Sequence, residues 1–262
     1  MPGKRLKILA IGNSFSEDAT RYLYDILQDG GMEDIRIGNL YVPGCSLEQH
    51  VGYARGEERA YTYFKNTDGK WTAREGAAMA EALADEPWDW ITMQQCSALS
   101  GKSGSYTPWL SALFAYVRAR AGAGTRYAWH MTWAYQQGSD HPAFPDYGRD
   151  QMTMYRAICA AVQAHIVPDT RFERILPAGT AVQNARAGFA GDTLTRDGYH
   201  LSLGAGRYLA GLTWAAALGL DIGRAHTLPD GVDAAWLPPL IRAAQDSLAA
   251  PFAVTARQNP PG

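Results

Sequence analysis

Two short stretches carry the residue types that covalent acyl chemistry needs. Near the start stands Gly12-Asn13-Ser14-Phe15-Ser16, and near the end Asp197-Gly198-Tyr199-His200. A serine hydroxyl is a weak nucleophile until a base takes its proton, and the base needs a third group to fix its tautomer. Asp197 and His200 lie three residues apart, a spacing that can set a carboxylate beside an imidazole on one turn of chain. Asp197 then accepts from one ring nitrogen while the other faces Ser14. Taken singly, Gly-Asn-Ser is an ordinary turn, Asp197-Gly198 another, and His200 a residue at a helix start. The joint occurrence of all three is harder to assign to turn chemistry alone.

The elements around these residues decide whether they can meet. Residues 6–11 are an apolar run that reads as a buried strand, and Ala19, Tyr22, Leu23, Ile26 and Leu27 follow with helical spacing. Strand, tight turn and helix place Ser14 at the carboxyl edge of a sheet. There the free N–H groups and dipole of the helix favour a developing negative charge. Further strands are expected around Ile35 to Val42, at 88–93, at 126–133 and at 174–182. Helices are expected at 47–60, 77–84, 109–120, 151–166, 201–218 and 234–249. Residues 97–106, rich in Ser and Gly, read as a mobile loop, and 136–147 as a long substrate loop. Asn66-Thr67-Asp68-Gly69 between short aromatic runs signals a hairpin insertion near 60–74. The Pro-rich tail, 258–262, reads as frayed. Strands alternating with helices argue a mainly parallel sheet in one domain spanning 1–262.

With GNSFS first and DGYH last, the chain resembles the SGNH, or GDSL-like, hydrolase superfamily, in particular a bacterial branch of unassigned function. The resemblance implies a flavodoxin-like three-layer α/β/α sandwich with a mainly parallel five-stranded sheet. It also implies ester hydrolysis by Ser14, His200 and Asp197, with no cofactor. The family's oxyanion hole joins the nucleophile's N–H to that of a glycine after the second strand, which Gly44 matches. An ordinary loop glycine after Pro43 would look the same. The family's third block, Gly-x-Asn-Asp, is missing; Gln94-Gln95-Cys96-Ser97 stands in its place. A glutamine amide can donate the same kind of bond. Gln95 is favoured as that donor, with Gln94 the alternative, because strand alternation sends the two to opposite faces. Asn13, Gln94, Trp133 and Tyr135 are candidate substrate contacts.

Composition narrows the remaining choices. The chain has 262 residues, and its net charge of -2 with no long run of either sign does not suggest a nucleic-acid surface. Cys45, Cys96 and Cys159 are scattered, with no His/Cys cluster of metal-binding spacing. Cys45 adjoins Gly44 but lacks a neighbouring histidine, so it ranks below Ser14 as nucleophile. His130 and His165 read as packed histidines and His141 as a solvated loop residue. No apolar stretch is long enough to span a membrane. The chain is expected in the cytoplasm, although one trimmed of an export signal would read the same way. The 8 Trp and 14 Tyr include several near strand ends, where aromatic faces can stack on sugar rings, though most such residues belong to cores. The expected function is therefore hydrolysis of small acyl, chiefly acetyl, esters on a small-molecule or carbohydrate substrate. The alternatives are a lipase or thioesterase of the same superfamily and, in another class, a non-catalytic carbohydrate-binding protein.

Overall fold

A computed structural model describes residues 4–255. The tail at 258–262 lies outside the described residues. In chain order the main elements are β1 (Arg5–Gly12), α1 (Ser14–Thr20), α2 (Leu23–Asp29), β2 (Asp34–Tyr41), α3 (Leu47–Arg55), β3 (Tyr61–Asn66), β4 (Trp71–Ala77), α4 (Met79–Asp85) and β5 (Trp90–Met93). They continue with α5 (Trp109–Arg120), β6 (Arg126–His130), α6 (Gln151–His165), β7 (Arg174–Leu176), α7 (Ala178–Ala185), α8 (Ala205–Ala217) and α9 (Leu237–Ala249).

The sheet order is β4-β3-β2-β1-β5-β6-β7. Five strands, β2, β1, β5, β6 and β7, run parallel, as expected. The hairpin does not stand apart from them. Its strand β3 pairs antiparallel with β2, and β4 with β3, so the sheet has seven strands. β1 lies at the centre and from Ile8 onward is buried on both faces, which explains why Ile8, Leu9, Ala10 and Ile11 are all apolar. The chain leaves β1 for β2 on one side and returns through β5 on the other. Such a reversal opens a crevice at the carboxyl ends of the strands, and Gly12 and Ser14 sit at its mouth. Helices α1, α2, α7, α8 and α9 pack together, and α3, α4 and α5 form a second group.

Three expectations change. The apolar segment at 174–182 is not one strand: Pro177 follows β7, and the rest is α7, in which every residue is buried. A short apolar run in a core has no exposed face to reveal its period, so strand and helix look alike. The first helix is two, α1 and α2, separated by Arg21 and Tyr22. The stretch at 97–106 is tied down rather than loose. Tyr106, only 1% exposed, donates to the Ser100 carbonyl at 2.8 Å, and the Ser105 hydroxyl reaches the Leu99 carbonyl at 3.0 Å. Among the described residues no helix is long and apolar enough to cross a membrane.

Candidate active site

The turn that carries Ser14 is built from small parts under tight constraint. A side chain at Gly12 would place its Cβ 2.5 Å from Ser16 Oγ and 2.9 Å from Gln94, so only glycine fits where β1 ends. Asn13 is extended and caps α1: its carboxamide oxygen accepts from Phe15 N–H at 3.0 Å. Its Nδ2 donates to the Cys45 carbonyl at 3.1 Å, which fastens this turn to the one after β2. In that second turn Cys45 N–H returns to the Val42 carbonyl, and Gly44 takes φ +61, the left-handed value a turn with Pro43 before it requires. Neither Ser14 N–H nor Gly44 N–H donates to a described protein group.

The C-terminal block closes on this turn from the other end of the chain. Asp197 Oδ2 lies 2.6 Å from His200 Nδ1, and His200 Nε2 lies 2.8 Å from Ser14 Oγ. A carboxylate only accepts, so Nδ1 carries the proton and Nε2 presents its lone pair to the serine hydroxyl. The second oxygen, Asp197 Oδ1, accepts from the backbone N–H of His200 at 2.8 Å and of Tyr199 at 3.2 Å. Burial works against the ionised form of Asp197. The bonds from the imidazole and from the two N–H groups outweigh it and hold the carboxyl below its usual range.

Three devices fix the block against the rest of the fold. A bridge between Thr195 and Leu201 closes it into a small hairpin. Trp133 Nε1 donates to the Tyr199 carbonyl at 2.7 Å, and the same indole stacks on Phe15 with centroids 4.2 Å apart. Asp18, one helical turn after Ser14 and wholly buried, accepts from Leu201 N–H at 2.8 Å, Arg196 Nη1 at 3.0 Å and Arg207 Nε at 2.7 Å. One carboxylate thus ties the helix that carries Ser14 to the hairpin that carries His200.

Ser14 and His200 open onto a cavity of about 320 Å³, bordered also by Gly44, Tyr41, Ser97 and His141, with Asp197 behind the imidazole. The glutamines do not reach it in the way expected. Gln95 Nε2 spends its donors on the Ser105 carbonyl and hydroxyl at 3.1 and 3.0 Å, while its oxygen accepts from Leu47 and Cys96 N–H. Gln94 points to the opposite face, as alternation requires. It donates to Asn13 Oδ1 at 2.9 Å and meets His130 Nδ1 at 2.8 Å. Both are structural amides behind the site. Trp133 and Tyr135, expected to line the pocket, are fully buried and also act from behind it. Asn13 does border the cavity but has its amide committed to the two turns. Cys45 is buried, and burial pushes its thiol far up, which suits packing rather than attack.

Ser97 and His141 also border the pocket; His141, expected as a solvated loop residue, instead packs on the Tyr135 ring with centroids 4.4 Å apart. His141 Nδ1 accepts from Ala143 N–H at 3.1 Å, so its proton sits on Nε2, 3.4 Å from the Tyr135 hydroxyl. Burial, with a smaller push from His200, lowers the pKa of His141, and burial raises that of Tyr135, so the ring stays neutral and the phenol keeps its proton. Tyr135 can then donate onward to Ser97 Oγ at 2.9 Å. That direction leaves the Ser97 hydroxyl hydrogen free for the cavity. A local signal for this chain is absent, because its members lie 38 and 6 residues apart on two loops. Among the described residues no group of three His, Cys, Asp or Glu is placed to hold a metal.

Comparison with known proteins agrees with this architecture. The family model described as "Domain of unknown function (DUF4886)" matches residues 7–243. The crystal structure of a DUF4886 family protein from Bacteroides uniformis is similar at 41% identity and a TM-score of 0.92, over 96% of this chain and 98% of that one. A candidate SGNH hydrolase from Slackia heliotrinireducens matches at 24% identity and TM-score 0.52, over 83% of this chain and 100% of that one. The acetylxylan esterase Axe2 from Geobacillus stearothermophilus matches at 13% identity and TM-score 0.55, over 84% and 97%. At such identities the last two likenesses concern the fold. No curated protein matches.

Proposed function

The chain belongs to the DUF4886 family, a domain of unknown function, and from the geometry of its site we propose that it is a serine esterase for small acyl, chiefly acetyl, esters of carbohydrates. The observation that carries this reading is the hydrogen-bonded run from Ser14 through His200 to Asp197, at 2.8 and 2.6 Å, opening onto a 320 Å³ cavity. Its fold likeness to an acetylxylan esterase supports the reaction class.

Each group then has a task. Ser14 Oγ attacks the acyl carbon as His200 Nε2 takes the hydroxyl proton, and Asp197 balances the imidazolium. The negative oxygen of the tetrahedral intermediate takes N–H bonds from Ser14 and Gly44 and an O–H bond from Ser97. Collapse breaks the ester bond, and His200 returns the proton to the departing sugar alkoxide. Water, deprotonated by His200, attacks the acyl-serine; the acid leaves and Ser14 regains its proton. Ser97 takes the place first assigned to Gln95, since it alone of the two has a hydrogen to spare.

The test is a series of p-nitrophenyl esters, with Ser14→Ala as the control. We expect turnover of the acetate, lost in the control, and a kcat/KM that falls with chain length. Absence of turnover above the control would sink the esterase reading in favour of a binding protein. A rise with chain length would replace it with a lipase or thioesterase, since each buried methylene is worth roughly 0.8 kcal/mol.

A further inference from the structure

Next to the cavity at Ser14 lies a second one, of about 220 Å³, between α1 and the β3–β4 hairpin. Glu17 borders both. Phe64 and Trp71 supply aromatic walls. The indole N–H of Trp71 donates to the Arg21 carbonyl at 3.1 Å, which fixes the ring, and Phe64 packs edge-on against Tyr41, a residue of the first cavity. The volume falls below the ~300–1,000 Å³ typical of drug-sized ligands and suits one ring rather than an extended chain.

Asn39 also lines this cavity, although it is only 1% exposed. One end of its amide lies 2.8 Å from Ser16 Oγ, and the other has no protein partner. The Ser16 hydroxyl has a single proton, yet the Asn13 carbonyl also lies 2.8 Å away to receive it. If Asn13 takes that proton, the Asn39 amide turns its NH₂ to Ser16 and leaves its oxygen unpartnered. If Asn39 takes it, the NH₂ is left over. In both cases one end of this buried amide is left without a protein partner. A hydroxyl group, donor and acceptor at once, answers either orientation. Aromatic faces, a carboxylate and an unsatisfied amide in a ring-sized space match the C–H faces and hydroxyls of a sugar.

We propose that this cavity is a subsite for one sugar ring of the substrate, next to the acylated ring held at Ser14. It rests on the esterase reading for its place in catalysis, but the binding itself does not. The hairpin thereby gains a role as the wall that selects an oligosaccharide.

Two variants test it. Ala73→Trp fills the cavity from an exposed position, and Trp71→Ala removes a wall, with Trp71→Phe as the conservative rescue. Binding of xylotriose, cellotriose and chitotriose to the Ser14→Ala protein is measured by calorimetry. Turnover of p-nitrophenyl acetate and of acetylated xylotriose is measured on the Ser14 form. We expect at least one trisaccharide to bind, about tenfold weaker in both variants and restored in Trp71→Phe. Turnover of p-nitrophenyl acetate should stay within about twofold, while kcat/KM on the acetylated sugar falls with binding. No binding of any of the three, or binding unaltered by Ala73→Trp, would overturn the subsite even if p-nitrophenyl acetate is hydrolysed. Binding that the variants weaken, with no ester hydrolysed, would leave the subsite standing and end the esterase reading instead.

Discussion

Asp18 offers the sharpest test of how the two ends of the chain are held together. Replacing it with asparagine keeps the volume and removes the charge on which Arg196, Arg207 and the Leu201 N–H converge. Breaking one partner out of a buried ion pair costs about 3–5 kcal/mol. Here Arg196 is 30% exposed and can rehydrate, whereas Arg207 is only 12% exposed. The low end, about 3 kcal/mol, is therefore expected, and at ~2–4 °C per kcal/mol the Tm should fall by about 6–12 °C. Catalysis should suffer separately, since the same bond anchors the His200 hairpin to the helix of Ser14. A displacement near 1 Å costs about 10²-fold in rate. The assay pairs thermal denaturation with p-nitrophenyl acetate turnover well below the Tm. Leu113→Ala, a fully buried change in α5, serves as a control of matched destabilisation away from the site. If Asp18→Asn keeps kcat within about twofold of the control, Asp18 does not position the base and the reasoning fails.

Ser14→Ala and His200→Ala should each remove nearly all turnover, and the double variant should be little worse, because the two act as one unit; losses that multiply would contradict the shared mechanism. Ser97→Ala should lower kcat by up to about 10²-fold with KM for p-nitrophenyl acetate nearly unchanged, the signature of a bond made in the transition state; an unchanged kcat would remove Ser97 from the oxyanion hole. His50 and His130 are buried, and burial holds both near a pKa of about 3. The unfolded chain binds their protons near pH 6.5, so the stability they confer is complete above that value and is lost as pH falls toward 3. The slope from these two groups should approach about 2.7 kcal/mol per pH unit near pH 5, read from denaturant melts at pH 7, 6 and 5, and should vanish in a His50→Asn, His130→Gln variant.

What the sequence discloses tracks how local each feature is. Ser14 with its Gly12 turn, and Asp197 with His200, are contiguous signals, and the bonds inside each block are set by a few residues of backbone. The parallel order of strands follows from their alternation with helices. By contrast, Asp18 reaches Arg196 across 178 residues, and nothing near Asp18 in sequence marks it as more than a helix carboxylate. The segment after Pro177 was misread for a related reason: in α7 burial on all sides erases the polar face that gives a helix its period. Ser97 was hidden because its polarity comes from Tyr135 and His141, which only the tertiary fold brings to it.

The departure at Gln94-Gln95 has a physical logic once these bonds are followed. Alternation on β5 and its extension correctly puts the two amides on opposite faces, yet each is consumed where it lands. Gln94 buttresses Asn13, itself held by His130 on β6 through the same amide. Asn13 in turn caps α1 with one end and grips the Cys45 carbonyl with the other. The N–H groups of Ser14 and Gly44 belong to the two turns that this one side chain joins, so their separation is set by buried groups with little freedom to move. A donor that must meet a transient charge works best when it need not reorganise. An asparagine reaching directly into the pocket would supply one such donor. On the proposed mechanism, the glutamine instead stiffens the frame that carries two, and leaves the third to Ser97, whose Oγ lies 2.9 Å from the Tyr135 hydroxyl.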